Sequence, residues 1–471
     1  MLHREDLYKY QRKLVAFIKK HPKCAAWVDM GLGKTVSLLT AFSDLLGSFD
    51  ARRMLIVAPL RVARDVWHSE VENWSHLQGL SVSRIVGTRQ QRLDALKIPA
   101  DIHTINREML PWLFSGYVEE SAKNRFKQTR KWPWDVLGLD ESQSFKNATA
   151  RRTLAASRIS TFQLVDRIIE LTGTPSPNGY RDVYSQMYIL DHGKRLGRSE
   201  DDFLRRWFNP PREWGMKWTI KDHAPAEIQD KLRDIVISMQ AEDYLDLPPV
   251  QYNPIYVTLS PAVMRKYRKL ERTHVLKLKT TKITAVNAGV AGGKLLQLAS
   301  GAMYTDDKGA YEVLHDTKLE ALTDALDELS FSGPVLIGYG FKSDAQRISQ
   351  RLNKYAPKDW AVLKSAESMR DFAAGDVQYG LIHPASAGHG LNDLYLSGSE
   401  NILWYGPTNN LEWWEQLNAR IAGGQRRIGK NVRIQTILAR ETVDEDYMMM
   451  IQNKNIDQVE LVRSLAARVG I

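Results

Sequence analysis

Short runs of uninterrupted apolar residues alternate along this chain with longer stretches in which apolar residues return every three or four positions. The first kind predicts strands buried on both faces and the second predicts amphipathic helices. Their alternation predicts parallel sheets covered by helices on both sides, an α/β fold. Two regions carry the pattern. From the N-terminus to about Leu190 the predicted strands are 25–29, 54–58, 101–105, 136–140 and 168–172. From about Tyr311 to the end they are 335–339, 360–363, 379–383, 401–405 and 432–437. Between the two, from Asp191 to about Thr305, the pattern predicts mostly helix, rich in lysine and arginine at 264–269 and 277–282. Leu247-Pro248-Pro249-Val250 interrupts this stretch and marks a boundary, because proline breaks regular elements. The expected division is therefore 1–246 as a first lobe with a helical extension over about 191–246, 247–310 as linker and helical protrusion, and 311–471 as a second lobe.

Composition adds three constraints. A chain of 471 residues that is 43% hydrophobic can bury substantial cores, as two large domains or three smaller ones. A formal charge of +10 favours polyanionic partners, since each cation laid on a phosphate releases a counterion. One cysteine, Cys24, excludes an intrachain disulfide and a cysteine-rich zinc site; within Cys24-Ala25-Ala26-Trp27-Val28 it reads as a buried structural thiol. The first residues lack the apolar core of a secretion signal, and no segment has the ~18 apolar residues of a membrane span. The expectation is a reducing cytoplasmic setting, in a bacterium or a phage-infected host, and no membrane partner.

Candidate chemistry begins at Gly31-Leu32-Gly33-Lys34-Thr35, placed between a predicted strand and a predicted helix. Glycines let backbone N–H groups close on phosphates, the helix N-terminus adds positive potential, Lys34 reaches the outer phosphates and Thr35 can ligate Mg. Val28 stands where the strict phosphate-loop pattern has a further glycine. A glycine turn before a core helix is the plain alternative. Next, an apolar strand ends in Asp140-Glu141-Ser142-Gln143. At the carboxyl end of a buried parallel strand, one carboxylate can hold Mg and its neighbour can orient the attacking water. Leu171-Thr172-Gly173-Thr174-Pro175 closes another strand, informative by its order after the first two. Later come the glycine-rich loop from Ser386 to Asp393 and the segment Glu415 to Arg420, followed by Gly423-Gly424-Gln425-Arg426-Arg427. Arginines there would stabilise charge on a transferring phosphoryl group, or simply pair with a helix dipole. Eleven histidines are scattered without metal-site spacing. Trp112, Trp132 and Trp134 flank a basic run over 123–131; its cations suit phosphates, and the aromatics would stack on bases only if exposed. Trp134 opens an apolar strand and reads as core.

Taken in order, Gln11 in Leu7-Tyr8-Lys9-Tyr10-Gln11, the Asp-Met-Gly-Leu-Gly-Lys-Thr run from Asp29, Ala58-Pro59-Leu60 with Trp67 and Glu70 beyond it, and the motifs above resemble the helicase motifs of superfamily 2. The resemblance is to the Swi/Snf-type branch, in the compact form of phage and bacterial members, and covers nearly the whole chain. It implies two RecA-like lobes with a helical insertion between them and ATP bound in the cleft, carrying Mg. It also implies residue roles. Gln11 would recognise adenine; Gly31, Gly33 and Lys34 would hold phosphate; Thr35 and Asp140 would hold Mg; Glu141 would orient water. Thr172 and Thr174 would couple the nucleotide to DNA, with Gly390 and Asn392 on the interlobe loop. Arg420 matches the first arginine of the final motif. Two departures stand out. Gln143 replaces a histidine, which puts interlobe coupling in question more than hydrolysis. The arginine expected three residues after Arg420 is Gly423, leaving Arg426 or Arg427, with Arg426 preferred, to act as the second finger.

The implied function is an ATP-driven motor on nucleic acid, with double-stranded DNA as its track and contacts mainly to phosphate. Two alternatives stand beside it: a strand-separating or annealing helicase on forked DNA or RNA, and an ATP-gated clamp for which binding rather than turnover matters.

Overall fold

The computed structural model describes residues 1–121, 125–211, 218–280, 285–306, 309–329, 331, 333–387, 394, 398–408, 410–423 and 429–453. Among the described residues the chain divides into two compact units, the first comprising Met1–Pro210 and Trp218–Tyr244 and the second Pro211 and the residues from Leu245 on.

The first unit is built on seven strands: β1 (Lys23–Val28), β2 (Met54–Ala58), β3 (Val82–Ile85), β4 (Ile102–Asn106), β5 (Val136–Asp140), β6 (Arg167–Thr172) and β7 (Val236–Met239). Their spatial order is β7-β1-β6-β5-β2-β4-β3, parallel throughout. Central strands such as Met54-Leu55-Ile56-Val57-Ala58 are buried at every position, because helices cover both faces and no side needs polar residues. Helix α1 (Lys9–Lys20) buries Tyr10, Gln11, Leu14, Val15 and Ile18, one face at helical spacing. Helix α2 (Lys34–Gly47) follows β1 and is mostly apolar. The order has a chemical consequence: β6 inserts between β1 and β5, so the carboxyl ends of β1, β6 and β5 are neighbours although β1 and β5 are far apart in sequence.

The second unit has β8 (Gln251–Val257), β9 (Val335–Gly338), β10 (Trp360–Val362), β11 (Tyr379–Ile382), β12 (Asn401–Trp404) and β13 (Arg433–Ala439). Their order is β8-β13-β12-β9-β11-β10, again parallel. Helices α3 (Pro261–Thr280) and α4 (Ala285–Ala299) lie between β8 and β9 in sequence, and α5 (Leu411–Ala422) follows β12. Each unit is thus a RecA-like α/β lobe.

Three strands of these two sheets depart from the sequence reading. Val236–Met239 lies in a stretch read as helical; four residues are too few to establish a period, and all four are buried. Val82–Ile85 is a short strand at the sheet's edge. Gln251–Val257 is polar, contains Pro254 and is largely exposed, so it lacks an apolar signature. It works as a strand because it is an edge: Gln251 N donates inward to Val432 O, so the odd-numbered amides face β13 and Pro254 faces outward, where no amide is needed.

Candidate active site

After Val28, β1 runs into a turn in which Gly31 (φ 86°) and Gly33 (φ 78°) take the left-handed conformation that other L-residues avoid. Gly33 caps α2 without any side-chain bond, and no acid occupies the first turn. The first amides of α2 are therefore available to an anion at the positive end of a 14-residue helix. A Cβ at Gly33 would fall 2.2 Å from Gln11 Nε2, so any side chain there displaces the glutamine tip. Gln11 is fixed on α1, with Oε1 accepting from Tyr8 N at 2.9 Å and Nε2 donating to Leu32 O at 3.3 Å. It is thus tied directly to the loop. The rings of Tyr8 and Tyr10 stack beside it at 5.4 Å, and Tyr10 packs on Tyr244 at 5.0 Å.

Lys34 Nζ donates to Val28 O at 2.6 Å and Asp29 O at 3.2 Å, within the turn. Burial lowers its pKa, opposed by Glu141, Asp140 and Asp29. Asp29 in turn accepts from Ala241 N at 2.9 Å, and its own amide donates to Met239 O at 3.0 Å. The loop's first residue is thereby pinned to β7 and the segment just beyond it.

At the end of β5, burial pushes the Asp140 carboxyl up, with Glu141 adding to the effect; Lys34 and the Trp67 indole work against it. Glu141 adopts φ 54°, a conformation uncommon outside glycine. Its backbone is bonded to Asp140 Oδ1 and Ser144 N, and its side chain is tethered by Gln143, whose Nε2 donates to Glu141 Oε2 at 2.9 Å. Gln143 is fully buried, and its Oε1 accepts from Thr172 Oγ1 at 2.7 Å. Thr172 Oγ1 accepts from Thr174 N at 2.9 Å. Polarity fixes the amide's orientation: a carboxylate only accepts, so the NH₂ faces Glu141 and the oxygen receives the threonine hydroxyl. A continuous chain of hydrogen bonds therefore runs from Glu141 through Gln143 to Thr172 and Thr174.

Lys34, Thr35, Asp140, Glu141, Gln143 and Thr172 thus lie on one edge of the first sheet, with Gln11 reaching the same loop from α1. The donors suit a nucleoside triphosphate with its cation: uncapped amides and an ammonium for phosphate, and a hydroxyl with a carboxylate as hard oxygen ligands of the kind Mg takes beside phosphate oxygens. In the second unit, Arg420 is half-buried on α5. Trp404 Nε1 donates to Asn418 Oδ1 at 2.9 Å on the same helix. Gly423 ends α5, and a Cβ there would meet Ala419 O at 2.5 Å, so this backbone has no room for the arginine that the motif pattern expects. Gly390, Asn392, Arg426 and Arg427 lie outside the described residues.

Other features were not readable from sequence. Gln143 counted there as a loss of a coupling histidine; in place, it is the bridge between Glu141 and Thr172. Trp132 and Trp134 are buried and packed edge-to-face at 5.0 Å, which removes them as base-stacking surfaces. Trp112 is covered by the Arg92 guanidinium, 4.6 Å from its ring centre. The Asp29–Ala241 clamp had no sequence signal, because its partner is a backbone amide 212 residues away. Cys24 is fully buried and its thiol is pushed up to about 12 by burial, as expected of an inert core thiol.

Comparison with known proteins follows the same lines. The family model described as SNF2-related domain matches residues 10–300. Protein p41 of the Acyrthosiphon pisum secondary endosymbiont phage 1 is 33% identical over 468 residues, covering 97% of this chain and 98% of that protein. The chromodomain-helicase-DNA-binding protein 1-like of Mus musculus is 25% identical over 251 residues, 52% of this chain and 25% of its own length. The chain thus spans only about a quarter of that longer relative. Among solved structures, the Sulfolobus solfataricus SWI2/SNF2 ATPase core in complex with dsDNA aligns over 98% of this chain and 94% of that one, with 20% identity and a TM-score of 0.43.

Proposed function

The chain belongs to the SNF2-related domain family and is an ATP-hydrolysing enzyme, and on that footing we propose that it is a translocase that spends ATP to move along double-stranded DNA without separating the strands. The observation that carries the reading is the hydrogen-bonded line from Glu141 through Gln143 to Thr172 and Thr174, starting beside the phosphate loop. It gives hydrolysis a physical route to the motif that the family resemblance assigns to DNA coupling. The mouse relative is named as a DNA-binding protein, which supports DNA as the track. The phage relative supports a setting in the cytoplasm of an infected host. Among the described residues no helix is long and apolar enough to cross a membrane.

Each residue has a defined task in this reading. The amides after Gly33 and the Lys34 ammonium bind and orient the phosphates, and Gln11 reads the adenine edge. Thr35 and Asp140 hold Mg, which when bound offsets charge on the phosphate oxygens. Glu141 orients the attacking water, kept in register by Gln143. Arg420, with Arg426 as second finger, stabilises charge developing on the transferred group. Gly390 and Asn392 join Thr172 and Thr174 in coupling to DNA.

The test is steady-state ATPase activity without nucleic acid and with duplex DNA, single-stranded DNA and RNA, using Lys34→Ala as the inactive control. Stimulation greatest with duplex, followed by displacement of a triplex-forming strand, is the expected result. Greater stimulation by single strands or forks would replace translocation with unwinding. No stimulation by any of them would leave an ATP-gated clamp.

A further inference from the structure

Helix α3 leaves the second sheet where β8 ends, at the carboxyl edge, which is the ligand-binding edge of parallel α/β sheets. Its root is bolted down. Tyr267 is fully buried, and its hydroxyl accepts from Val443 N at 2.8 Å. Arg268 reaches both Glu271, at 3.0 Å, and Glu441, at 3.3 Å. At the far end of the helical pair, just past α4, Ser300 O accepts from Arg347 at 2.7 Å and from Tyr405 at 3.1 Å. Leu259, Val263, Tyr267, Leu295 and Leu298 fill the space between.

The opposite face of the same helix is exposed and carries one sign of charge. Over 261–273 the exposed residues are Pro261, Ala262, Arg265, Lys266, Lys269, Arg272 and Thr273. At 100° per residue these fall within one arc, with Arg265, Lys269 and Arg272 at i, i+4 and i+7 and Lys266 alongside, a stripe of about 10 Å. The helix's acid in this stretch, Glu271, is turned to Arg268. A solvated helix face ordinarily mixes signs, because like charges at these spacings repel.

We propose that Arg265, Lys266, Lys269 and Arg272 form a phosphate-binding rail that lies along the backbone of the nucleic acid on which the motor acts, which rests on the function proposed above. The chemistry favours a phosphodiester backbone over an acidic protein or a lipid surface. The stripe offers long cationic arms and no large apolar side chain, whereas protein hot spots and membrane-bound helices need aromatic or aliphatic anchors. Rigid rooting holds the charges in a fixed array. The rail then adds affinity without reading sequence.

Counterion release supplies the test. Binding to a short duplex DNA, and to a single strand of the same sequence as DNA and as RNA, is measured from 50 to 200 mM salt. Each lost phosphate contact lowers the slope of log affinity against log salt by about 0.9 on duplex and about 0.7 on a single strand. The double variant Lys266→Gln/Lys269→Gln is compared with Lys354→Gln/Lys358→Gln, which removes the same charge from exposed positions at the amino edge of the sheet. The expected result is a duplex slope reduced by about 1.8 in the first and little changed in the second. Extending the first to Arg265→Gln and Arg272→Gln brings the loss to about 3.6, so raising salt weakens the wild type about 150-fold more than the variant. Melting temperatures confirm that all variants fold. Equal slope changes in the two pairs, or none in the first while the wild type still binds, overturns the rail and leaves the motor reading intact. Failure of the wild type to bind any nucleic acid overturns both. Comparing duplex with the single strands shows which backbone the rail fits.

Discussion

Replacing Gln143 with leucine removes the amide but keeps its approximate volume, and the structure sets the size of the effect. The lost bond to Glu141 is 2.9 Å long and ends on a carboxylate; a hydrogen bond to a charged group contributes about 1.5–3 kcal/mol. Glu141 also sits at φ 54°, so without its tether the side chain relaxes away from the geometry that the proposed role in orienting water requires. If the whole of that energy is expressed in the transition state, turnover falls about 10- to 150-fold. KM for ATP should hardly move, because the bonds lost run to Glu141 and Thr172, at the ends of β5 and β6, rather than to Lys34 or Gln11. The assay is kcat and KM in the presence of saturating duplex DNA, with a thermal melt to confirm folding. Gln143→His sharpens the test. A neutral imidazole can donate to Glu141 and accept from Thr172, but an imidazolium cannot accept. That variant should therefore lose turnover as pH falls through the histidine pKa, in a range where glutamine does not titrate. A leucine variant with kcat within twofold of wild type refutes the reasoning.

Three further outcomes follow from geometry described above. Gly33→Ala should weaken ATP binding measured by calorimetry about 5- to 30-fold, since the left-handed backbone costs about 1–2 kcal/mol in an L-residue and the new Cβ, 2.2 Å from Gln11 Nε2, displaces that side chain. Glu170 is fully buried in β6, neither carboxyl oxygen has a hydrogen-bond partner, and burial holds its pKa well above the ordinary value. The unfolded chain ionises first, so this group's contribution is most favourable below the unfolded pKa, near 4.3, and is lost as pH rises toward the folded one. Glu170→Leu should raise the melting temperature more at pH 8 than at pH 4, and an equal shift at both would contradict the assignment. In the second unit, Lys318 and Asp444 form a fully buried ion pair at 2.5 Å. Asp444→Leu alone should destabilise by about 3–5 kcal/mol by leaving an uncompensated charge, while Lys318→Met/Asp444→Leu should recover most of it in denaturant titrations.

What could be read from sequence divides along physical lines. Strands such as Met54–Ala58 and Val136–Asp140 were found at their observed bounds, because burial on both faces writes a continuous apolar run. The glycine turn before α2 was legible because its pattern is local: two glycines, a lysine and a threonine within five residues. Gln251–Val257 was not legible, because an edge strand needs no apolar face. The partners of Gln143 were not legible for a related reason. Side chains 29 positions apart decide it, and only the adjacency of β5 and β6 brings Thr172 to its carbonyl oxygen. Residues whose partners are backbone atoms far along the chain, such as Asp29, leave no composition or spacing to detect.

The outward-facing proline of β8 has a consequence beyond its own strand. A sheet margin with an unbroken row of amides is a template onto which another molecule of the same protein can add. Of the residues that face outward there, Tyr252, Pro254 and Tyr256, the middle one has no amide hydrogen to offer. An incoming strand would meet a gap at the centre of its first ladder. At the high concentrations of overexpression, this proline blunts the margin of the second lobe against edge-to-edge addition of further copies.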